Sequence, residues 1–332
     1  MSQGFWTTLP QPFFALAPMA GVTDAAMRRL IALYGKPHVL WTEFVSADGL
    51  CSPGQGRLRR DLAYSEIERP IVAQLYGANP ATMERAAALV AAWGFDGIDI
   101  NMGCPDRSVE KRGAGAALCK TPRLAQAMIR AAQRGAMGLP VSVKIRLGYD
   151  RNELETWLPA LLDAVPAVVT IHARTRQEMS RVPAHWEALA HAVALRQHAG
   201  SATYLMGNGD VADLADARQK ARLTGVEGVM LGRAVLGNPW LFHPHWTAAA
   251  MPVAERLRGL LEHTWLFTAL LSDIKSFDVM KKHFKAYVTG FPDAKTLFLQ
   301  LMEANGMADV AAIVAAFLQT ETVATAPDRG PV

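Results

Sequence analysis

Cys104 is the residue with the most chemistry open to it. It lies in Asn101-Met102-Gly103-Cys104-Pro105, and Lys111-Arg112-Gly113-Ala114-Gly115 follows. A cysteine is more often a small buried hydrophobe, and that reading suits Cys51 and Cys119. Cys104 differs because Gly103 and Pro105 hold it on a loop. A free thiol, with a pKa of about 8.5, stays mostly protonated at neutral pH yet can give up its proton, so it can act as a general acid. The other open role is nucleophile, which needs a positive neighbour to hold the thiolate. His172 and Lys144 are the candidates for that neighbour.

A second constellation points to phosphate. Gly207-Asn208-Gly209-Asp210 and Gly232-Arg233 each follow a short apolar run. Glycines let backbone N–H groups approach phosphate oxygens, and arginine adds a fixed fork of donors. The plain alternative is that these glycines only make turns. Polar or specialised groups close the other runs as well: Pro18-Met19, Glu43, Gln74, Asn101, Lys144 and His172. A lone lysine or histidine after a strand means little. Eight such endings are hard to explain as packing, because buried polar groups need partners. A polar ligand supplies them.

The elements that position these groups follow from periodicity. Apolar runs at residues 13–17, 39–42, 71–75, 97–100, 141–145, 168–171, 203–206 and 228–231 alternate with helical patterns such as 81–93, 123–134 and 213–223. Strands alternating with helices imply a parallel sheet. The runs read as continuously apolar, as strands covered on both faces should. Eight units over some 240 residues predict an α/β fold, a (β/α)8 TIM barrel, whose strand C-termini face the active site. A doubly wound open sheet is the runner-up, but its Gly-rich fingerprint is missing: the first strand is followed by Pro18-Met19-Ala20-Gly21-Val22. After Pro239 and Pro244 the strand signal ends. Leu257, Leu260, Leu261 and Trp265 recur at helical spacing, as do Phe277, Met280, Phe284, Tyr287 and Val288, then Val310, Ile313, Val314, Phe317 and Leu318. The expected organisation is a catalytic barrel over residues 1–245, a small C-terminal all-α domain of about four helices over 250–320, and a disordered tail over 321–332.

Composition sets outer bounds. The 332 residues are 51% hydrophobic and 19% charged, enough for a large core. No apolar run approaches the roughly 18 residues that span a bilayer, and the first residues lack a secretory pattern. Three cysteines without paired spacing argue against a disulfide framework or a zinc site and suit a reducing compartment, so a cytoplasmic protein is expected. A net charge of +4 permits a polyanionic partner without requiring one.

Taken together, the motifs resemble the bacterial tRNA-dihydrouridine synthases, most of all the subgroup called type B. The resembling stretches begin with Leu16-Ala17-Pro18-Met19-Ala20-Gly21-Val22-Thr23-Asp24, Thr42-Glu43-Phe44 and Gln74-Leu75-Tyr76-Gly77. They continue with Asp99-Ile100-Asn101-Met102-Gly103-Cys104-Pro105, Lys111-Arg112-Gly113-Ala114-Gly115 and Val143-Lys144-Ile145-Arg146-Leu147-Gly148. His172-Ala173-Arg174-Thr175-Arg176, Gly207-Asn208-Gly209-Asp210, Gly232-Arg233-Ala234 and Lys282-His283-Phe284-Lys285 complete the order. The match runs from residue 13 to about 320.

The resemblance implies FMN in the barrel mouth, NADPH as reductant and tRNA as substrate, handled by a monomer. A hydride from flavin N5 goes to uracil C6, and Cys104 protonates C5. FMN contacts fall on Pro18, Met19, Ala20, Gln74, Lys144, His172, Asn208, Gly209, Asp210, Gly232 and Arg233. Asn101, Arg174 and Arg176 fall at the substrate. Lys281, Lys282 and Lys285 form a stripe that would grip tRNA phosphates; the same stripe also reads as ordinary solvated surface. Ser180 departs from the family, which often has a base-contacting Tyr there. Two other readings stay open: an FMN-barrel reductase of a free small molecule, resembling dihydroorotate dehydrogenase, and a catalytically idle RNA-binding protein. Binding to tRNA would separate the first from the family reading, and retention of Cys104, Lys144 and Arg233 weighs against the second.

Overall fold

The computed structural model describes residues 3–246 and 251–324. Nine strands form one parallel sheet: β1 (Phe13–Leu16), β2 (Leu40–Trp41), β3 (Val45–Ser46), β4 (Ile71–Tyr76), β5 (Gly97–Met102), β6 (Val141–Arg146), β7 (Val168–His172), β8 (Tyr204–Asn208) and β9 (Gly228–Leu231). The order is β1-β9-β8-β7-β6-β5-β4-β2. A bridge between Ala15 and Val39 joins the ends, where Leu16 N–H donates to the Val39 carbonyl at 3.1 Å. Helices alternate with the strands, so the fold is a (β/α)8 barrel. Short β3 pairs with β4; Val45-Ser46 forms no apolar run of its own.

Several strands are less uniform than continuous apolar runs. In β6, Val141, Val143 and Ile145 are buried hydrophobics, while Ser142, Lys144 and Arg146 hydrogen-bond to Asp99, Asn208 and the Gly103 carbonyl. A period of two puts these three on one face. That face carries the chemistry at the C-terminal end of the strand. At the opposite end Trp6, Phe13 and Trp41 pack together as part of an apolar cluster with Val168, Met206 and Met230.

The chain divides into two compact units. One holds the residues up to Asp24 and Lys36–Ala234; the other holds Ala25–Gly35 and the residues from Val235 on. In the second unit, Ala25–Gly35 joins four helices, Val253–Leu271, Asp278–Tyr287, Ala294–Met302 and Met307–Ala324. Its core includes Leu30, Leu257, Leu260, Phe267, Met280, Phe284, Leu297, Val310 and Val314. Each such side chain contributes roughly 1.5–3 kcal/mol on full burial. Helical spacing marks most of these positions. It does not show that Ala25–Gly35 belongs with them, because an amphipathic pattern does not name the surface it meets. The last helix continues through Ala324, past residue 320 where the tail was expected to start. No glycine or proline intervenes before Pro327, and the residue before a proline disfavours helix. The rest of the expected tail, 325–332, lies outside the described residues.

Candidate active site

The C-terminal ends of β1, β6, β7, β8 and β9 surround a cleft of about 670 Å³. Pro18 and Met19 line it from β1, Lys144 and Arg146 from β6, and His172 from β7. Asn208, Gly209 and Asp210 line it after β8, and Gly232 and Arg233 after β9. Nine of the eleven positions singled out for a cofactor therefore meet in one place. Ala20 and Gln74 do not line the cleft.

Lys144 Nζ donates to Asn208 Oδ1 at 3.0 Å, and Asn208 Nδ2 donates to the Met230 carbonyl at 2.8 Å. Burial lowers the ammonium to about 8; the Arg146 charge acts in the same direction and Asp99 opposes it. His172 is held well below its ordinary range by burial and by Lys144, Arg146, Arg174 and Arg233. It is therefore a neutral imidazole. Its Nε2 lies 3.5 Å from Arg174 Nη1, and its buried Nδ1 meets no hydrogen-bond partner among the described residues. If Nε2 accepts from the guanidinium, Nδ1 carries the proton and is a donor without an acceptor.

The phosphate motif gains its shape from Gly209 and Asp210. Gly209 has φ +124°, and a Cβ there would lie 3.0 Å from Ala184 Cβ and 3.3 Å from the His172 ring. Trp186 Nε1 fixes the turn through the Gly209 carbonyl at 2.7 Å. The Asp210 carboxylate accepts from Arg233 at 2.7 Å and from the Ala184 N–H at 3.0 Å, and it also pairs with buried Arg174. A carboxylate repels phosphate, so Asp210 serves the site by aiming Arg233. Arg174 is committed to that support.

Cys104 does not line the cleft, but it is tied to it. Arg146 Nε donates to the Gly103 carbonyl at 2.9 Å, and Nη1 donates to the Thr175 and Met179 carbonyls. One guanidinium thus staples the loop after β5 to the loop after β7. Gly115 closes against the Cys104 loop with φ +61°, where a Cβ would lie 2.7 Å from the Cys104 carbonyl oxygen. Arg176 bonds Glu110 at 2.8 Å and the Pro105 carbonyl at 3.3 Å, so it braces this loop too. Burial pushes the Cys104 thiol up, against the lowering pull of the Asp106 N–H and Arg146. Neutral His172 supplies no cation to a thiolate; Arg146 does pull the thiol down, but burial is the larger effect and the thiol rests protonated. The protonated thiol fits the acid role.

Beneath the loop runs a chain of side-chain hydrogen bonds. Asn101 Oδ1 accepts from the Cys104 N–H at 2.8 Å, and Asn101 Nδ2 donates to Gln74 Oε1 at 2.9 Å. Gln74 Nε2 donates to Asp99 at 2.7 Å, and Ser142 Oγ donates to the same carboxylate at 2.6 Å. Arg146 and Asp99 were not singled out from the sequence. Their signal was the two-residue period: each shares a face with a residue that was, Lys144 and Asn101.

Elsewhere, Cys51 bonds the Thr82 carbonyl and Cys119 bonds Glu153; burial raises Cys119 to about 12. In the helical unit Lys282 and Lys285 are exposed. Lys281 is half-buried and pairs with Asp278 at 3.4 Å. Among the described residues no helix is long and apolar enough to cross a membrane.

The comparisons with known proteins agree with one another. The family model described as "Dihydrouridine synthase (Dus)" matches residues 15–323. A probable tRNA-dihydrouridine synthase of Staphylococcus aureus (strain COL) is 38% identical over 321 residues, covering 96% of this chain and 96% of that protein. A probable tRNA-dihydrouridine synthase 2 of Bacillus subtilis (strain 168) is 37% identical over 321 residues, covering 95% and 96%. Among solved structures, the 6-hydroxypseudooxynicotine amine oxidase of Pseudomonas geniculata N1 superimposes with a TM-score of 0.53 at 12% identity, over 73% of this chain and 47% of that one. The histamine dehydrogenase of Rhizobium sp. 4-9 gives a TM-score of 0.51 at 14% identity, over 69% and 45%. These last two show a shared fold.

Proposed function

The chain belongs to the dihydrouridine synthase family, and from that membership we propose that it reduces the C5–C6 double bond of uridines in tRNA, using FMN held in the barrel cleft and NADPH as electron donor. It is an oxidoreductase acting on tRNA. The cofactor, the reductant and the residue roles are our reading, and one juxtaposition carries it. A cationic cleft suited to phosphate and a protonated thiol occupy strand ends of the same barrel, and Arg146 links them.

The residues present fit FMN. Gly209, Gly232, Lys144 and Arg233 line the cleft, and Asp210 aims the Arg233 guanidinium, a set of donors that suits a phosphate. When bound, reduced FMN supplies the hydride that saturates uracil C6. Lys144 is protonated below about pH 8 and places positive charge in the cleft, where it favours an electron-rich ligand. Neutral His172 lines the cleft without adding charge. Cys104 gives its Sγ proton to C5, the thiolate left behind is stabilised by Arg146, and solvent returns the proton. Asn101 holds the Cys104 loop, and its second amide N–H remains for the base. A uridine inside folded tRNA is out of reach, so it is flipped into the site. Lys282 and Lys285 supply charge for the phosphate backbone. One chain holds every group named, so a monomer suffices, working in the cytoplasm. The alternatives, a reductase of a free small molecule or an idle RNA-binding protein, are not favoured by relatives named for tRNA across almost the whole chain.

The test is to incubate the purified protein with FMN, NADPH and tRNA from cells lacking this chain. Some uridines should gain the mass of two hydrogens. No gain with a flavin-loaded protein would contradict the proposal.

A further inference from the structure

We propose that Asp99 is a positioning residue for Cys104: its carboxylate fixes the one orientation of the Gln74 and Asn101 amides that presents Asn101 Oδ1 to the Cys104 N–H. The inference rests on the reading of Cys104 as the acid. Asp99 is fully buried in β5, two residues before Asn101. At one end of the chain of bonds, an ionised carboxylate can only accept. At the other, the backbone N–H groups of Cys104 and Gly103 can only donate, at 2.8 and 3.2 Å to Asn101 Oδ1. Two amides lie between, each with one accepting and one donating end. Of their four combined orientations, one satisfies all three links: Gln74 Nε2 to Asp99, Asn101 Nδ2 to Gln74 Oε1, and Asn101 Oδ1 to the loop. Reversing Gln74 alone sets oxygen against carboxylate and N–H against N–H. The orientation thus follows from the two ends and needs no assignment of amide atoms by inspection.

The carboxylate is held from several sides. Ser142 Oγ donates to its second oxygen at 2.6 Å. Burial pushes the Asp99 carboxyl up to about 6, against the lowering pull of Ser142, Gln74 and the Lys144 charge on the neighbouring strand. Above that pH the ends of the chain of bonds are distinct. Cys104 is placed through its own backbone, so a loss of order at Gln74 or Asn101 reaches the thiol directly.

The experiment is a double-mutant cycle on the FMN-loaded full chain, reading anaerobic single-turnover reoxidation of the reduced protein by tRNA. Asp99→Leu removes the acceptor at similar volume. Asp99→Asn keeps one acceptor oxygen. In the Cys104 background, Asp99→Leu should slow reoxidation by about 10- to 100-fold, the scale of a hydrogen bond to a charged group, and Asp99→Asn should slow it less. In the Cys104→Ala background the loss should be far smaller, leaving only the effect of the Asp99 charge on Lys144. An equal loss in both backgrounds, or none for Asp99→Leu, overturns the proposal. Iodoacetamide labelling of the flavin-free protein gives a readout that does not depend on activity. The Cys104 rate should change in the same order of variants, while Cys51 and Cys119 keep theirs. Equal change at all three thiols, or none at Cys104, rejects the positioning role. If the wild type itself fails to turn over with tRNA, the function fails while the labelling still decides the positioning. If Asp99→Leu does not fold, Asp99→Asn carries both measurements.

Discussion

Lys144 illustrates how burial changes what one side chain can do. An exposed lysine carries its charge through the whole physiological range; burial brings this one to about 8. FMN affinity should therefore fall as pH rises through about 8, because the deprotonated amine no longer offers charge. Lys144→Met should weaken binding by about 10- to 100-fold at pH 7 and flatten that pH dependence. Fluorescence titration across the range checks both, and an unflattened profile would assign the step to another group. Lys144 and Cys104 were legible in the sequence because each follows an apolar run or sits on a Gly-Pro loop. Arg146 and Asp99 were not, since reading only the group that ends a run passes over a residue two further on or two before. Asp210 was legible as part of the phosphate motif, but its work as a carboxylate that aims Arg233 depends on a pairing across 23 residues.

Strands and turns carry the next level of the account. All eight main strands fall where the apolar runs placed them, within one or two residues. Two-residue β3 escaped that reading because Val45-Ser46 makes no apolar run, and the inward alternation of β6 escaped it because Ser142 and Lys144 were read as part of one continuous run. The turn after β8 is the element most exposed to test. Gly209→Ala forces a side chain into φ +124° against Ala184 and His172, at a cost of about 1–3 kcal/mol. Urea midpoints should fall accordingly, and FMN affinity with them; unchanged values would mean that the turn relaxes freely. On the helix Asp278–Tyr287, Lys282 and Lys285 are the exposed pair. Replacing both with Ala should weaken binding of all tRNAs alike. The slope of log K against log salt should flatten by up to about 0.9 per lost phosphate contact on the duplex scale. An unchanged slope would make the stripe ordinary solvated surface.

At the scale of the whole molecule, the two units have different sensitivities. The helical unit buries His263 and His283 with ring centroids 4.6 Å apart, beside the Tyr287 hydroxyl. Burial lowers His283 from 6.5 to about 4 and keeps His263 well below its ordinary value. The folded chain thus refuses protons that the unfolded chain accepts. Stability from a neutral His283 is complete above pH 6.5 and is lost as pH falls to about 4, on the order of 3 kcal/mol. His283→Leu should flatten that acid limb in urea unfolding, and an unaltered limb would place the loss elsewhere. Membership of Ala25–Gly35 in this unit was invisible in the sequence, since pairing between distant apolar faces leaves no local mark. The central claim is that an FMN-loaded barrel reduces tRNA uridine with Cys104 as the proton donor. Anaerobic single-turnover reoxidation with excess tRNA tests it most directly. Cys104→Ala should bind FMN, accept electrons from NADPH and bind tRNA as the wild type does, yet reoxidise about 10²–10⁴-fold more slowly. Reoxidation of Cys104→Ala at the wild-type rate would contradict the account.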